Sequence, residues 1–280
     1  MKAKLKCSGF AAILLVAFVF IPLLSAQEDD ARAQLPKPVF TKAEFYYART
    51  NPSYFLINPA SVRLTRHAVK EERDMSYVRM EEKKKTGEGQ RVSIDHIINI
   101  ATKIWKIVSN NAPETNIDTK YAVAYPQGVT AATQLTHWAA PKSYVYGFYA
   151  ENLLGMRIVD VEYKVIYTYG GAYKGAGKYL TAVTVTPTKV NVGWGYNFSM
   201  NASVPDSAIT NVGDSKKPVA AMQLKLFWKI ATVLKESDSA SVYYIQGDGY
   251  FQEIANPFGK VLKAEEINSA KPLFGEKIFE

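Results

Sequence analysis

Lys189-Val190-Asn191-Val192-Gly193-Trp194-Gly195-Tyr196-Asn197-Phe198-Ser199-Met200-Asn201 alternates almost without error. Val190, Val192, Trp194, Tyr196, Phe198 and Met200 fall on one side, and Asn191, Gly193, Gly195, Asn197 and Ser199 on the other. Successive side chains of a strand point to opposite faces. The stretch therefore predicts one strand with an oily and a wet face, lying in an antiparallel sheet that is covered on one side.

The same two-residue period recurs on either side. Val159, Val161, Tyr163, Val165 and Tyr167 oppose Asp160, Glu162 and Lys164, while Met222, Leu224, Leu226, Trp228 and Ile230 oppose Gln223, Lys225 and Lys229. Strands are expected over Tyr121–Tyr125, Tyr144–Ala150, Arg157–Tyr169, Lys178–Thr186, Lys189–Ala202, Val219–Leu234, Ser241–Gln246 and Tyr250–Ile254. Gly170-Gly171, Pro187-Thr188 and Gly247-Asp248-Gly249 between them are short enough for hairpins. The reading is a mainly β chain: an antiparallel β-sandwich of about seven to eight strands spanning 113–256, which excludes a doubly wound parallel sheet.

One helix is expected, over Ser93–Ser109. Ile94, Ile97, Ile98, Ala101, Ile104, Trp105 and Val108 recur at three- and four-residue steps, Ser93 can cap the first amides, and Asn110-Asn111 with Pro113 can end it. Its β-branched residues demand support from packing against the sheet. The helix closes a mixed segment over 40–112, with short strands possible at Val62-Leu64 and Tyr77-Val78-Met80, helix at Ala68–Arg73 and a turn at Thr86–Gly89. Residues 27–39 read as a flexible leader, and 257–280 as a tail with at most a short helix around Ala264–Asn268.

Residues 1–26 have the order of a secretory signal peptide: Lys2, Lys4 and Lys6, an apolar run from Gly9 to Leu24, then Leu24-Ser25-Ala26. The expected location is periplasmic or extracellular. Cys7, the single cysteine, lies in that segment, so the mature chain would have no disulfide, thiolate nucleophile or cysteine-ligated zinc. The formal charge of +8 is concentrated outside the β region: Arg63 to Arg91 holds nine basic and six acidic residues, Pro113 to Asn256 twelve and eleven. A nearly neutral sandwich lacks the basic stripe of a nucleic-acid surface.

Motifs for chemistry are sparse. Gly170–Lys178 fails as a phosphate loop, because its glycine spacing is one residue too long and a strand follows it. His67, His96 and His137 share no metal-binding spacing, and no Gly-x-Ser-x-Gly element exists. Asp160 and Glu162 share a strand face at about 7 Å, compatible with inverting glycoside hydrolysis, but Lys164 on that face favours an ordinary charged surface. Asn197-Phe198-Ser199 and Asn201-Ala202-Ser203 match the glycan acceptor pattern.

No catalytic residues, metal ligands or cofactor are assigned. His137 and Trp138 stand in a loop that could line a pocket, and Tyr173 and Lys174 are the large side chains of a glycine-rich tip. These four are the candidate ligand-binding residues. With eighteen tyrosines, such positions suit carbohydrate, peptide or a lipid head group at the cell envelope. The functional expectation is an exported, non-enzymatic β-sandwich acting in binding, adhesion or envelope structure. Its rival is a membrane-active β protein, either an outer-membrane barrel or a pore-forming sandwich.

Overall fold

The computed structural model describes residues 31–72, 91–115 and 120–256. The expected signal peptide, the turn at Thr86–Gly89, the strand at Tyr77-Val78-Met80 and the tail from residue 257 lie outside them.

The described chain is mainly β, with two antiparallel sheets packed together as a sandwich. Thirteen strands form them, more than the seven or eight expected. They are β1 Arg63–Glu71, β2 Ser93–Ile98, β3 Ile104–Ser109, β4 Ala112–Pro113, β5 Ala122–Gln127, β6 Lys142–Glu151 and β7 Arg157–Tyr173. β8 Ala176–Val192, β9 Asn197–Ser203, β10 Ile209–Asn211, β11 Ala220–Ala231, β12 Glu236–Gln246 and β13 Phe251–Ala255 complete the set. The first sheet runs β1-β6-β7-β8-β5-β2 and the second β13-β12-β11-β9-β3-β4, with β10 paired to β11. The two inner faces are the alternating sets read from the sequence: Val159, Val161, Tyr163, Val165 and Tyr167 in one sheet, Met222, Leu224, Leu226, Trp228 and Ile230 in the other, all buried.

Aromatic rings join the layers. Phe148 of the first sheet packs 5.4 Å from Phe198 and 4.9 Å from Trp228 of the second. The Tyr163 and Tyr243 hydroxyls meet at 2.8 Å in the centre, so each satisfies the other where water cannot. Burial pushes both phenols up, as it does Tyr146 and Tyr167.

The segment expected to be a helix over 93–109 is instead β2 and β3, one in each sheet. Eight of its seventeen residues are β-branched, which suits a pleated surface better than a helix. Asn99 makes the break: its Oδ1 accepts from the Ala101 and Val123 amides and its Nδ2 donates to the Thr102 carbonyl. Ile107, off the helical stripe, is fully buried.

The stretch Lys189–Asn201 is also two strands. β8 ends at Val192 in the first sheet and β9 begins at Asn197 in the second. Between them the Tyr196 amide donates to the Gly193 carbonyl at 3.2 Å, closing a turn in which Gly195 takes a φ of +79°. That conformation is open to glycine and strained for other residues. The alternation survives because both strands turn their oily faces into the same core, even though the chain changes sheet between them.

Pro187-Thr188 is not a turn but lies within β8, where the register against β7 shifts between Glu162 and Tyr163. Proline is tolerated there because β8 pairs with β5 only farther back, at Leu180 and Val183. The β7–β8 turn sits at Lys174-Gly175, beyond Gly170-Gly171, with φ of +50° and +80° as a two-residue hairpin requires. Tyr173 pairs with Ala176 across it.

In the mixed segment, the part suggested as helix over Ala68–Arg73 is mostly β1, which pairs with β6. Helix α1 (Lys42–Thr50) begins at a capping box in which Thr41 accepts from the Glu44 amide and Glu44 accepts from the Thr41 amide. The short α2 (Pro52–Phe55) follows, and Ala48 and Phe55 pack on Val233 in the β11–β12 turn. Ala31 and Leu35, within the stretch expected as a flexible leader, are buried against Phe227 on the outer face of the second sheet.

Candidate functional site

The sandwich has two ends. The hairpin end carries the β7–β8 turn at Lys174-Gly175, and the crossover end carries the β8–β9 turn at Gly193–Tyr196.

The four residues singled out in the sequence fall on two segments that meet at the hairpin end. The Thr136 amide donates to the Ala172 carbonyl at 2.9 Å, the Ala172 amide returns to the Thr136 carbonyl at 2.7 Å, and the Ala139 amide reaches Tyr169. Trp138 lies flat against β7, so close that a Cβ on Gly171 would stand 2.3 Å from its ring. Its indole N–H donates to the Ala132 carbonyl at 3.2 Å. Trp138 and Tyr173 both pack against the core. His137 is exposed, with Nδ1 2.8 Å from the Thr136 hydroxyl, and Lys174 is exposed with its ammonium 5.5 Å from the Tyr173 ring centre. The structure thus brings the segments together, but it uses their two rings to close the end of the core.

Asp160 and Glu162 are both engaged by neighbouring side chains. Asp160 is bridged by Arg157 at 2.8 Å and Lys189 at 2.7 Å. Burial works to raise its carboxyl, but the two cations prevail and hold it below the usual range, so it stays ionised and has no proton to donate. Glu162 accepts from Thr188 and lies 3.7 Å from His67. Lys164, from the same face, pairs with Glu72 at 2.8 Å. The row is a charge ladder along a sheet face. Of the two glycan acceptor matches, Asn201 is fully buried and donates to the Ala31 carbonyl, which closes that position to modification in the fold.

A cleft of about 570 Å³ lies between β2 and β10, lined by Asp95, His96, Asp206, Ile209, Thr210 and Asn211. Its polar groups are engaged within the protein. Asp95 accepts from Ser93, which lowers its carboxyl, His96 meets Gln127 at 2.6 Å, and Asp206 pairs with Lys103. Asn211 accepts from the Gly213 and Val219 amides. Among the described residues no group of three or more histidine, cysteine, aspartate or glutamate side chains could hold a metal.

The crossover end differs. Trp194, which the alternation placed on an oily strand face, is 50% exposed at the turn. Tyr47 meets it edge-on at 5.5 Å and Phe55 at 5.8 Å, and Tyr54 donates its hydroxyl to the Trp194 carbonyl at 3.0 Å. Tyr46 stands edge-on to Tyr47 and is 64% exposed. Tyr196 anchors the turn by donating to the Tyr54 carbonyl, and burial pushes its phenol up. Next to this group runs the β6–β7 connection Leu153-Leu154-Gly155-Met156, tied to it where the Leu153 amide donates to Leu56 and the Asn152 side chain donates to the Tyr54 carbonyl. Leu153, Leu154 and Met156 are each more than half exposed.

Large apolar side chains gathered on one exposed end mark an interaction surface far better than scattered ones. Such a surface can bind, and the Tyr54 and Tyr196 phenols within it are both pushed up by burial. A signal for it was present in the sequence, in three apolar residues around a glycine between strands. The strands on either side drew the reading away from it.

No family model, no curated protein and no solved structure matches this chain.

Proposed function

We propose that the protein is an exported, non-enzymatic β-sandwich that works by binding at the cell envelope, with the crossover end as its contact surface. Export rests on the signal-like order of residues 1–26, and binding on the exposed cluster of Trp194, Tyr46, Tyr47, Leu153, Leu154 and Met156. That cluster is the observation that carries the reading. Burying apolar area is the main source of association energy, and aromatic residues lead such contacts. The ionisable side chains that were candidates for chemistry are already paired with neighbours.

Fractionation of cells that export the chain tests this. Wild type is expected with the envelope, while Trp194→Ala combined with Leu154→Ser is expected in the soluble fraction, still folded and with a melting temperature lowered by no more than about 4 °C. Equal distribution of the two proteins would sink the proposal.

A further inference from the structure

We infer that the partner of the crossover end is a lipid bilayer surface carrying anionic headgroups, with Leu153, Leu154 and Met156 entering the acyl boundary and the Trp194, Tyr46 and Tyr47 rings lodged at headgroup level. The inference rests on the binding role proposed above and names its target.

Three observations favour a bilayer. The first is how the loop is held. Asn152, fully buried, accepts from the Leu154 amide at 3.0 Å and the Met156 amide at 2.9 Å through its side chain, while its own amide donates to the Met156 carbonyl at 2.9 Å. The turn is therefore built to hold its apolar side chains outward. Gly155 at its tip has nothing within 4 Å of where a Cβ would stand, so the tip projects freely. A projecting apolar turn fits a surface that yields to it.

The second is chemical. Tryptophan and tyrosine collect at membrane–water interfaces because each combines an apolar ring with a polar tip, and three such rings stand beside the loop. The third is charge. Arg157, which directly follows Met156, and Arg63 are both exposed and lie over the Tyr149 ring at 5.4 and 4.0 Å, so two guanidiniums flank the base of the loop. An anionic headgroup at the loop would meet both. The contact proposed is peripheral and made by loops at the headgroup and acyl boundary.

Co-sedimentation of the exported full chain with phosphatidylcholine vesicles, with and without about 30% phosphatidylglycerol, decides the matter. The expected result is binding that strengthens with phosphatidylglycerol and weakens at high salt. Leu154→Asp with Met156→Asp should lower the partition coefficient about tenfold, with the melting temperature held. Should that variant fail to fold, Leu154→Ser with Met156→Ser gives the same comparison. Trp138→Ala, at the other end, should leave partition unchanged. Absence of vesicle binding, or equal binding by the loop variants, overturns the inference. So does a dimer in lipid-free solution that the loop variants dissociate, since the partner is then a second copy. If wild type is retained by the envelope through this end yet ignores vesicles, the bilayer fails and the binding role stands. If neither assay responds to the loop variants, both fall.

Discussion

Trp138 and Trp194 each sit beside glycines in a connection between strands, at opposite ends of the sandwich, and they have opposite fates. At the hairpin end Gly171 leaves a seat on β7 that the Trp138 ring fills, with its N–H satisfied by the Ala132 carbonyl. At the crossover end Gly193 and Gly195 make a tight turn, and the turn throws Trp194 outward to half exposure. A glycine next to a large ring can thus be a seat or a pivot. The first turns the ring into core, whereas the second turns it into surface.

The contrast is testable, and the core between the two ends sets the scale. Tyr163 and Tyr243 are fully buried and neutral, with phenols pushed up by burial. In the unfolded chain tyrosine ionises at about pH 10. Their contribution is therefore complete below that pH and is lost as pH rises above it, by about 1.4 kcal/mol per pH unit for each ring. Chemical denaturation between pH 8 and about 11.5 should show this fall. A flat profile would mean that the rings are not closed off from water.

Trp138→Ala should remove about 2 kcal/mol of stability, because it empties a packed position, although the Ala132 carbonyl keeps its bond from the Leu135 amide. Its envelope binding should match wild type, and a loss of binding without a loss of stability would reverse the assignment of the two ends. Trp194→Ala should cost no more than about 1 kcal/mol, since half of the ring already faces solvent. Retention by the envelope should nonetheless drop sharply, and a large fall in melting temperature would show that the ring is structural. The smallest effect is expected for Lys174→Ala, within about 0.5 kcal/mol of wild type, with binding unaltered. A binding defect there would restore the hairpin tip as a recognition element.

The reading of Lys189–Asn201 shows how far the pattern of side chains can go. It correctly marked Tyr196, Phe198 and Met200 as core, because a two-residue period reports which side of the backbone is oily. It could not tell a strand that continues from one that turns into the opposite sheet with its oily face still inward. The segment over 93–109 failed for a related reason. Apolar residues at three- and four-residue steps fit a helix, and they equally fit two short strands that bury alternate positions around a break. The decisive bonds at Asn99 reach the Val123 amide, twenty-four residues away in the chain.

What the sequence determined by itself was the class: strand period, inward residues and a two-layer core all follow from local alternation, which is set by backbone geometry alone. It also determined the chemical restraint of the chain, with one cysteine, three scattered histidines and a charge ladder where paired carboxylates had been considered. Only the tertiary structure decided which apolar side chains stay outside. Exposure is a property of neighbours: Leu154 and Met156 face outward because the buried Asn152 fixes their turn, and Trp194 because its turn joins two sheets. No periodicity within a single strand records what lies across from it in the fold.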